Sequence, residues 1–109
     1  MQKKFFGQIG RLRLEKIDTY CKLHAKPLPG VKKTITECHL QNYSIFLHGD
    51  LVFAYFEYTG EDYGADMEKM AKDPVTQAWW KQTKPCFETY AMDSQSEFYH
   101  DMKQIFYHP

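Results

Sequence analysis

Tyr20 and His24 are four positions apart in a stretch of helical period, so their side chains stack one turn apart on one face and can meet one ligand. An unperturbed imidazole titrates near pH 6.5, so it can accept and donate a proton at neutral pH, and a neighbouring phenol adds a hydrogen-bond donor. A lone histidine on an apolar helix face is more often a hydrogen-bonded core residue than a catalytic one, and the pair alone leaves both readings open. Trp79 and Trp80 are adjacent in a second helical stretch and therefore point about 100° apart. Such pairs usually pack, but an indole face also suits the C–H face of a pyranose. Tyr43, in an apolar-rich segment, has the same two readings, and Asn42 beside it brings two donors and an acceptor.

Other chemistries lack their residues. His39, His48, His100 and His108 show neither metal-ligand spacing nor helical i, i+4 pairing, and no carboxylate cluster accompanies them, so no metal is expected. Cys21, Cys38 and Cys86 form no CxxC pair and are odd in number, which suits buried apolar thiols in a reducing compartment. There is no Gly-rich phosphate loop and no GxSxG, and Lys32-Lys33 reads as an exposed helix face. Glu57 is one carboxylate that could orient the His24 imidazole.

Hydrophobic period assigns these residues to helices and strands. Residues 5–12 alternate as a strand, although Gly7 and Gly10 weaken it. From Glu15 the period becomes helical through Ile17, Tyr20, Cys21, His24 and Leu28. Pro27 and Pro29 break that helix near 25–29, and a second helix runs through Val31, Ile35 and Cys38. Residues 39–48 and 51–58 are aromatic and β-branched strands joined by a Gly49-Asp50 hairpin turn. Glu61 to Lys72 is helical, and Asp73-Pro74 caps and opens a shorter helix carrying both tryptophans, closed by Pro85. Residues 87–100 read as irregular and Lys103–His108 as a last strand. The order is β-α-β-β-α-β, a ferredoxin-like α+β fold with an antiparallel sheet.

Strand 51–58 is apolar on both faces, with Leu51, Phe53 and Tyr55 on one and Val52, Ala54 and Phe56 on the other. Helices in this topology cover only one face, so a homodimer through the second sheet face is expected. The 109 residues allow one domain, spanning 1–109. A balance of 14 basic and 14 acidic side chains argues against nucleic acid or an anionic membrane as partner. The basic N-terminus breaks its apolar run at Gln8 and Arg11, short of a signal-peptide core, which reads as cytoplasmic. Eight Tyr, eight Phe and two Trp make 17% of the chain aromatic, which suits a flat ligand.

Taken together, the chain resembles the L-rhamnose mutarotase family from end to end. The resemblance is carried by the aromatic first strand, Tyr20-x3-His24, Asn42-Tyr43-Ser44-Ile45, Asp73-Pro74-Val75-Thr76-Gln77-Ala78-Trp79-Trp80, and the terminal Ile105-Phe106-Tyr107-His108-Pro109. It implies a dimeric α/β barrel of ferredoxin-like subunits and a cofactor-free isomerase of carbohydrate metabolism that interconverts the α and β anomers of L-rhamnose or a close relative. It further implies that His24 is the proton donor and that Tyr20, Tyr43, Trp79 and Trp80 line the sugar site. One departure follows His24: the family tends to have Asn there and a Trp shortly after, whereas this chain has Ala25-Lys26-Pro27-Leu28-Pro29. Two other readings predict different behaviour. A dimeric α/β barrel monooxygenase or haem-handling protein would bind haem, and a non-catalytic sugar-binding module would be stabilised by sugar without accelerating anomer exchange.

Overall fold

The computed structural model describes residues 3–92 and 98–109. Strand β1 (Lys4–Arg11) leads through a 3-10 turn at Leu14–Lys16 into helix α1 (Ile17–Ala25), and α2 (Val31–Glu37) follows. Strands β2 (Leu40–His48) and β3 (Leu51–Tyr58) form the hairpin. Helices α3 (Tyr63–Lys72) and α4 (Pro74–Thr83) precede a short last strand, β4 (His100–Met102). Among the described residues all strand pairings are antiparallel, in the order β2-β3-β1-β4, the ferredoxin-like arrangement.

Local chemistry sets the boundaries. Pro27 and Pro29 separate α1 from α2, and Gly30, at φ 96°, turns the chain into α2 in a conformation that disfavours other residues. Gly49 does the same for the two-residue hairpin turn at φ 61°. The Asp62 carboxylate accepts from the Ala65 amide at 3.0 Å to cap α3, and the Asp73 carboxylate accepts from the Thr76 amide at 2.9 Å to cap α4. Asp73 also accepts from the Thr34 hydroxyl at 3.1 Å, which fastens α2 to the start of α4.

The helices cover one sheet face. Val52, Ala54, Phe56 and Tyr58 alternate onto that face and are buried, whereas Tyr55 is 36% exposed and Phe46, across the hairpin from Phe53, is 64% exposed. Two apolar clusters hold the layers together. Leu12, Tyr20, Val52, Cys86 and Phe87 form one end, and Leu40, Phe56 and Tyr58 the other. At the first end Gly10 is obligatory, because a β-carbon there would lie 2.8 Å from the Phe87 ring.

The last strand differs from the sequence expectation. The ladder to β1 uses His100–Met102, and residues 103–109 leave it. Lys103–His108 has the composition of a strand, but Ile105 and Phe106 are covered by no second layer among the described residues. Ile105 is 89% and Phe106 81% exposed. Tyr107 instead packs on Phe5, with ring centroids 4.8 Å apart.

Candidate active site

A cavity of about 780 Å³ opens between the helical layer and the covered sheet face. Tyr20, His24, Tyr43, Trp79 and Trp80 all line it, although they come from α1, β2 and α4. A second depression, about 440 Å³, runs between α2 and α3 past Glu37, Glu68, Lys69 and Lys72 and has charged rather than aromatic walls.

His24 sits in the last turn of α1, half-buried, with its ring 4.2 Å from the Tyr20 ring and edge-on to Trp79 at 5.1 Å. Its Nδ1 lies 2.8 Å from the Tyr20 carbonyl oxygen. A carbonyl can only accept, so Nδ1 carries the hydrogen and, in the neutral ring, Nε2 holds the free lone pair. Burial lowers the His24 pKa below its usual value, opposed by the bond to the Tyr20 carbonyl. The resting ring is therefore a neutral base at Nε2. It is oriented by its own helix backbone, while Glu57 lies on the other side of the sheet with β1 residue Phe5 as its cross-strand neighbour.

Trp79 is 9% exposed and walls the cavity beside His24, whereas Trp80 is half-buried with the Lys84 ammonium 4.6 Å above its ring. Both reach the cavity, so adjacency on the helix does not send one of them elsewhere. Tyr43 stacks on Phe56 with centroids 5.1 Å apart. The residue as a whole remains 37% exposed, yet burial of the phenol, with Tyr63 nearby, pushes its pKa up to about 12.

Tyr43 faces the cavity because the β2–β3 register shifts between Gln41 and Ser44. Gln41 pairs with Glu57 and Ser44 with Tyr55, so both lie on the open face. The extra residue, Asn42 at φ 50°, forms a bulge that lets Tyr43 take the opposite side.

The structure adds Tyr99 to the residues found from sequence. Its hydroxyl is 2.8 Å from the Tyr20 hydroxyl, and burial raises the pKa of both phenols well above the ordinary value. Tyr99 falls in a segment without hydrophobic period, so only tertiary proximity identifies it. Gln8, from β1, also reaches the cavity and donates to the Asp101 carboxylate at 2.8 Å.

The arrangement joins one tautomerically fixed base, several phenols that stay protonated at neutral pH, and aromatic walls. Comparison with known proteins gives the same direction. The family model described as L-rhamnose mutarotase matches residues 6–108. An L-rhamnose mutarotase of Shouchella clausii is 33% identical over 95 residues, covering 85% of this chain and 86% of that protein. Another, from Bacillus subtilis, is 30% identical over 95 residues, with coverage of 85% and 86%. The crystal structure of an L-rhamnose mutarotase from Formosa agariphila superposes with TM-score 0.75 at 17% identity, covering 97% of this chain and 99% of that one. A NIPSNAP family protein from Agrobacterium tumefaciens shares the fold at TM-score 0.65 and 20% identity, over 97% and 90% of the two chains. With the match running through nearly every element that builds the cavity, the chain belongs to the L-rhamnose mutarotase family.

Proposed function

We propose that this protein interconverts the α and β anomers of L-rhamnose by acid/base ring opening and closure, with His24 as the proton carrier and Tyr20, Tyr43, Trp79 and Trp80 as the sugar-binding walls. Family membership supports the reaction and the substrate. The observation that carries the assignment of His24 is its fixed tautomer, with Nδ1 tied to the Tyr20 carbonyl and Nε2 left as an acceptor among aromatic side chains.

The reaction balances on that nitrogen. Nε2 removes the anomeric hydroxyl proton, the C1–O5 bond breaks with its electron pair going to O5, and the imidazolium so formed donates its proton to O5. The open aldehyde rotates about C1–C2, and O5 attacks the other face of C1 as its proton returns to Nε2. The new anomeric oxygen then takes that proton. His24 is thus base and then proton donor in each half of the cycle, and no electron or group is transferred. Aromatic faces hold the sugar by its C–H surfaces and leave the C1 end room to turn.

The same reading includes a cytoplasmic homodimer joined through the sheet face that the helices leave open. Phe46 and Tyr55 on that face support the dimer, and the free thiols of Cys21, Cys38 and Cys86 suit a reducing compartment. No helix among the described residues is long and apolar enough to cross a membrane.

Saturation-transfer NMR on equilibrated L-rhamnose tests the assignment. His24→Ala is expected to fold and bind sugar while losing roughly 10²- to 10⁴-fold in exchange rate. Exchange at the wild-type rate would remove His24 from the chemistry. A panel of 6-deoxy and ordinary aldoses reads the substrate preference in the same experiment.

A further inference from the structure

Glu57 is a carboxylate on the open side of the sheet, 9% exposed, that the reaction above does not use. Four donors converge on it: the Tyr55 hydroxyl at 2.8 Å, Asn42 Nδ2 at 3.0 Å, Gln41 Nε2 at 3.1 Å and Lys3 Nζ at 3.3 Å. Two of these donors, Gln41 and Asn42, are the residues where the β2–β3 register slips. The site of the slip is also where the backbone takes its left-handed turn at Asn42.

We propose that Glu57 is a positioning residue whose carboxylate clamps the Asn42 bulge and so aims Tyr43 into the cavity from the opposite face of the sheet.

Without the extra residue, Tyr43 would follow Gln41 by two positions and share its open face, because the side-chain period of a strand is two. A left-handed residue with a β-carbon carries local strain, and asparagine tolerates it better than most. Bonds from Gln41 and Asn42 to one carboxylate oxygen, Oε1, tie the last paired residue before the slip to the residue that follows it in the bulge. Tyr55 occupies the other oxygen, Oε2, so both acceptor atoms are used. In support, these donors, led by the Tyr55 hydroxyl, hold the Glu57 carboxyl at a pKa of about 2, so the clamp is ionised at neutral pH.

The kinetic consequence rests on the cavity being the sugar site, but the aim of Tyr43 can be read without sugar. In the wild-type protein, proton NMR should show a ring-to-ring nuclear Overhauser effect between Tyr43 and Phe56, whose centroids are 5.1 Å apart. Glu57→Gln, which keeps the side-chain size, should weaken it. Asn42→Val, which keeps Glu57 but disfavours the left-handed turn, should do the same. Each should raise KM for L-rhamnose about 3- to 10-fold, the range expected for a lost aromatic wall, with kcat changed by no more than about twofold. In a Tyr43→Ala background neither substitution should raise KM further, because the wall they aim is already gone.

A merely structural role would lower thermal stability while leaving the Tyr43–Phe56 signal at full strength in the folded variants, and that result overturns the proposal. An undiminished KM effect of Glu57→Gln in the Tyr43→Ala background overturns it as well. If the wild type leaves anomer exchange at its buffer rate while the ring signal responds as described, the sugar-site reading falls and the clamp stands.

Discussion

At the scale of single residues, the chemistry depends on which nitrogen of His24 is free and on which form of the ring predominates. The sign of its pKa shift fixes the expected pH profile. Because burial favours the neutral ring, kcat/KM for anomer exchange should be flat around neutrality and fall on acidification, with a midpoint below the ordinary imidazole value of 6.5. A profile that instead rises as pH drops through 6.5 would mean that the imidazolium is the resting form. The Tyr20–Tyr99 phenol pair allows a second test. Tyr99→Phe removes one oxygen and keeps the ring that packs edge-on against Phe87 at 5.2 Å. Loss of that hydrogen bond is expected to slow exchange about 3- to 10-fold, as measured by the same NMR method. An unchanged rate would leave Tyr99 as packing alone.

At the scale of elements, the hairpin and its bulge matter most, since β2 and β3 carry Tyr43 and Phe56 to the cavity wall. Gly49 takes φ 61° with open space around it, so Gly49→Val should destabilise the fold through backbone strain alone, by about 1–2 kcal/mol in urea unfolding. The Glu57 clamp adds an acid dependence whose sign is set by its depressed pKa. A carboxyl that titrates at 4.5 when unfolded and at about 2 when folded contributes stability that is complete above 4.5 and lost as pH falls towards 2. Asp66 and Asp73 are shifted in the same direction by their own donors and reinforce the trend. The melting temperature should therefore decline across that window, and less steeply in Glu57→Gln.

At the scale of the whole molecule, the open sheet face and the terminal segment share one property. Phe46 at 64%, Ile105 at 89% and Phe106 at 81% exposure present more aromatic and aliphatic surface than a lone subunit normally leaves in water. Light scattering should give a mass near twice the 13.0 kDa of the chain. Phe46→Arg, which places a charge on that face, should weaken association about 10- to 100-fold. A monomeric wild type at micromolar concentration would contradict the sheet-face dimer.

Much of this arrangement is legible in the residues alone. Hydrophobic period, the prolines at 27 and 29, the Gly49-Asp50 turn and the Asp73-Pro74 cap are local signals, and the elements they mark form where expected because each depends on residues only a few positions apart. The order of those elements also leads to the observed strand order. The limits of the last strand were not legible, because Ile105, Phe106 and Tyr107 have strand composition whether or not a neighbouring strand is there to pair with them. Nor was Tyr99, which meets Tyr20 across 79 residues of chain. Residue types and their spacing specify which groups can handle a proton and a sugar, and which helices and strands carry them. That the Tyr20 carbonyl fixes the His24 tautomer, and that a one-residue bulge turns Tyr43 inward, emerges in the folded chain alone. Both are matters of a few ångströms between groups, set by packing and hydrogen-bond geometry to which residue spacing along the chain is blind.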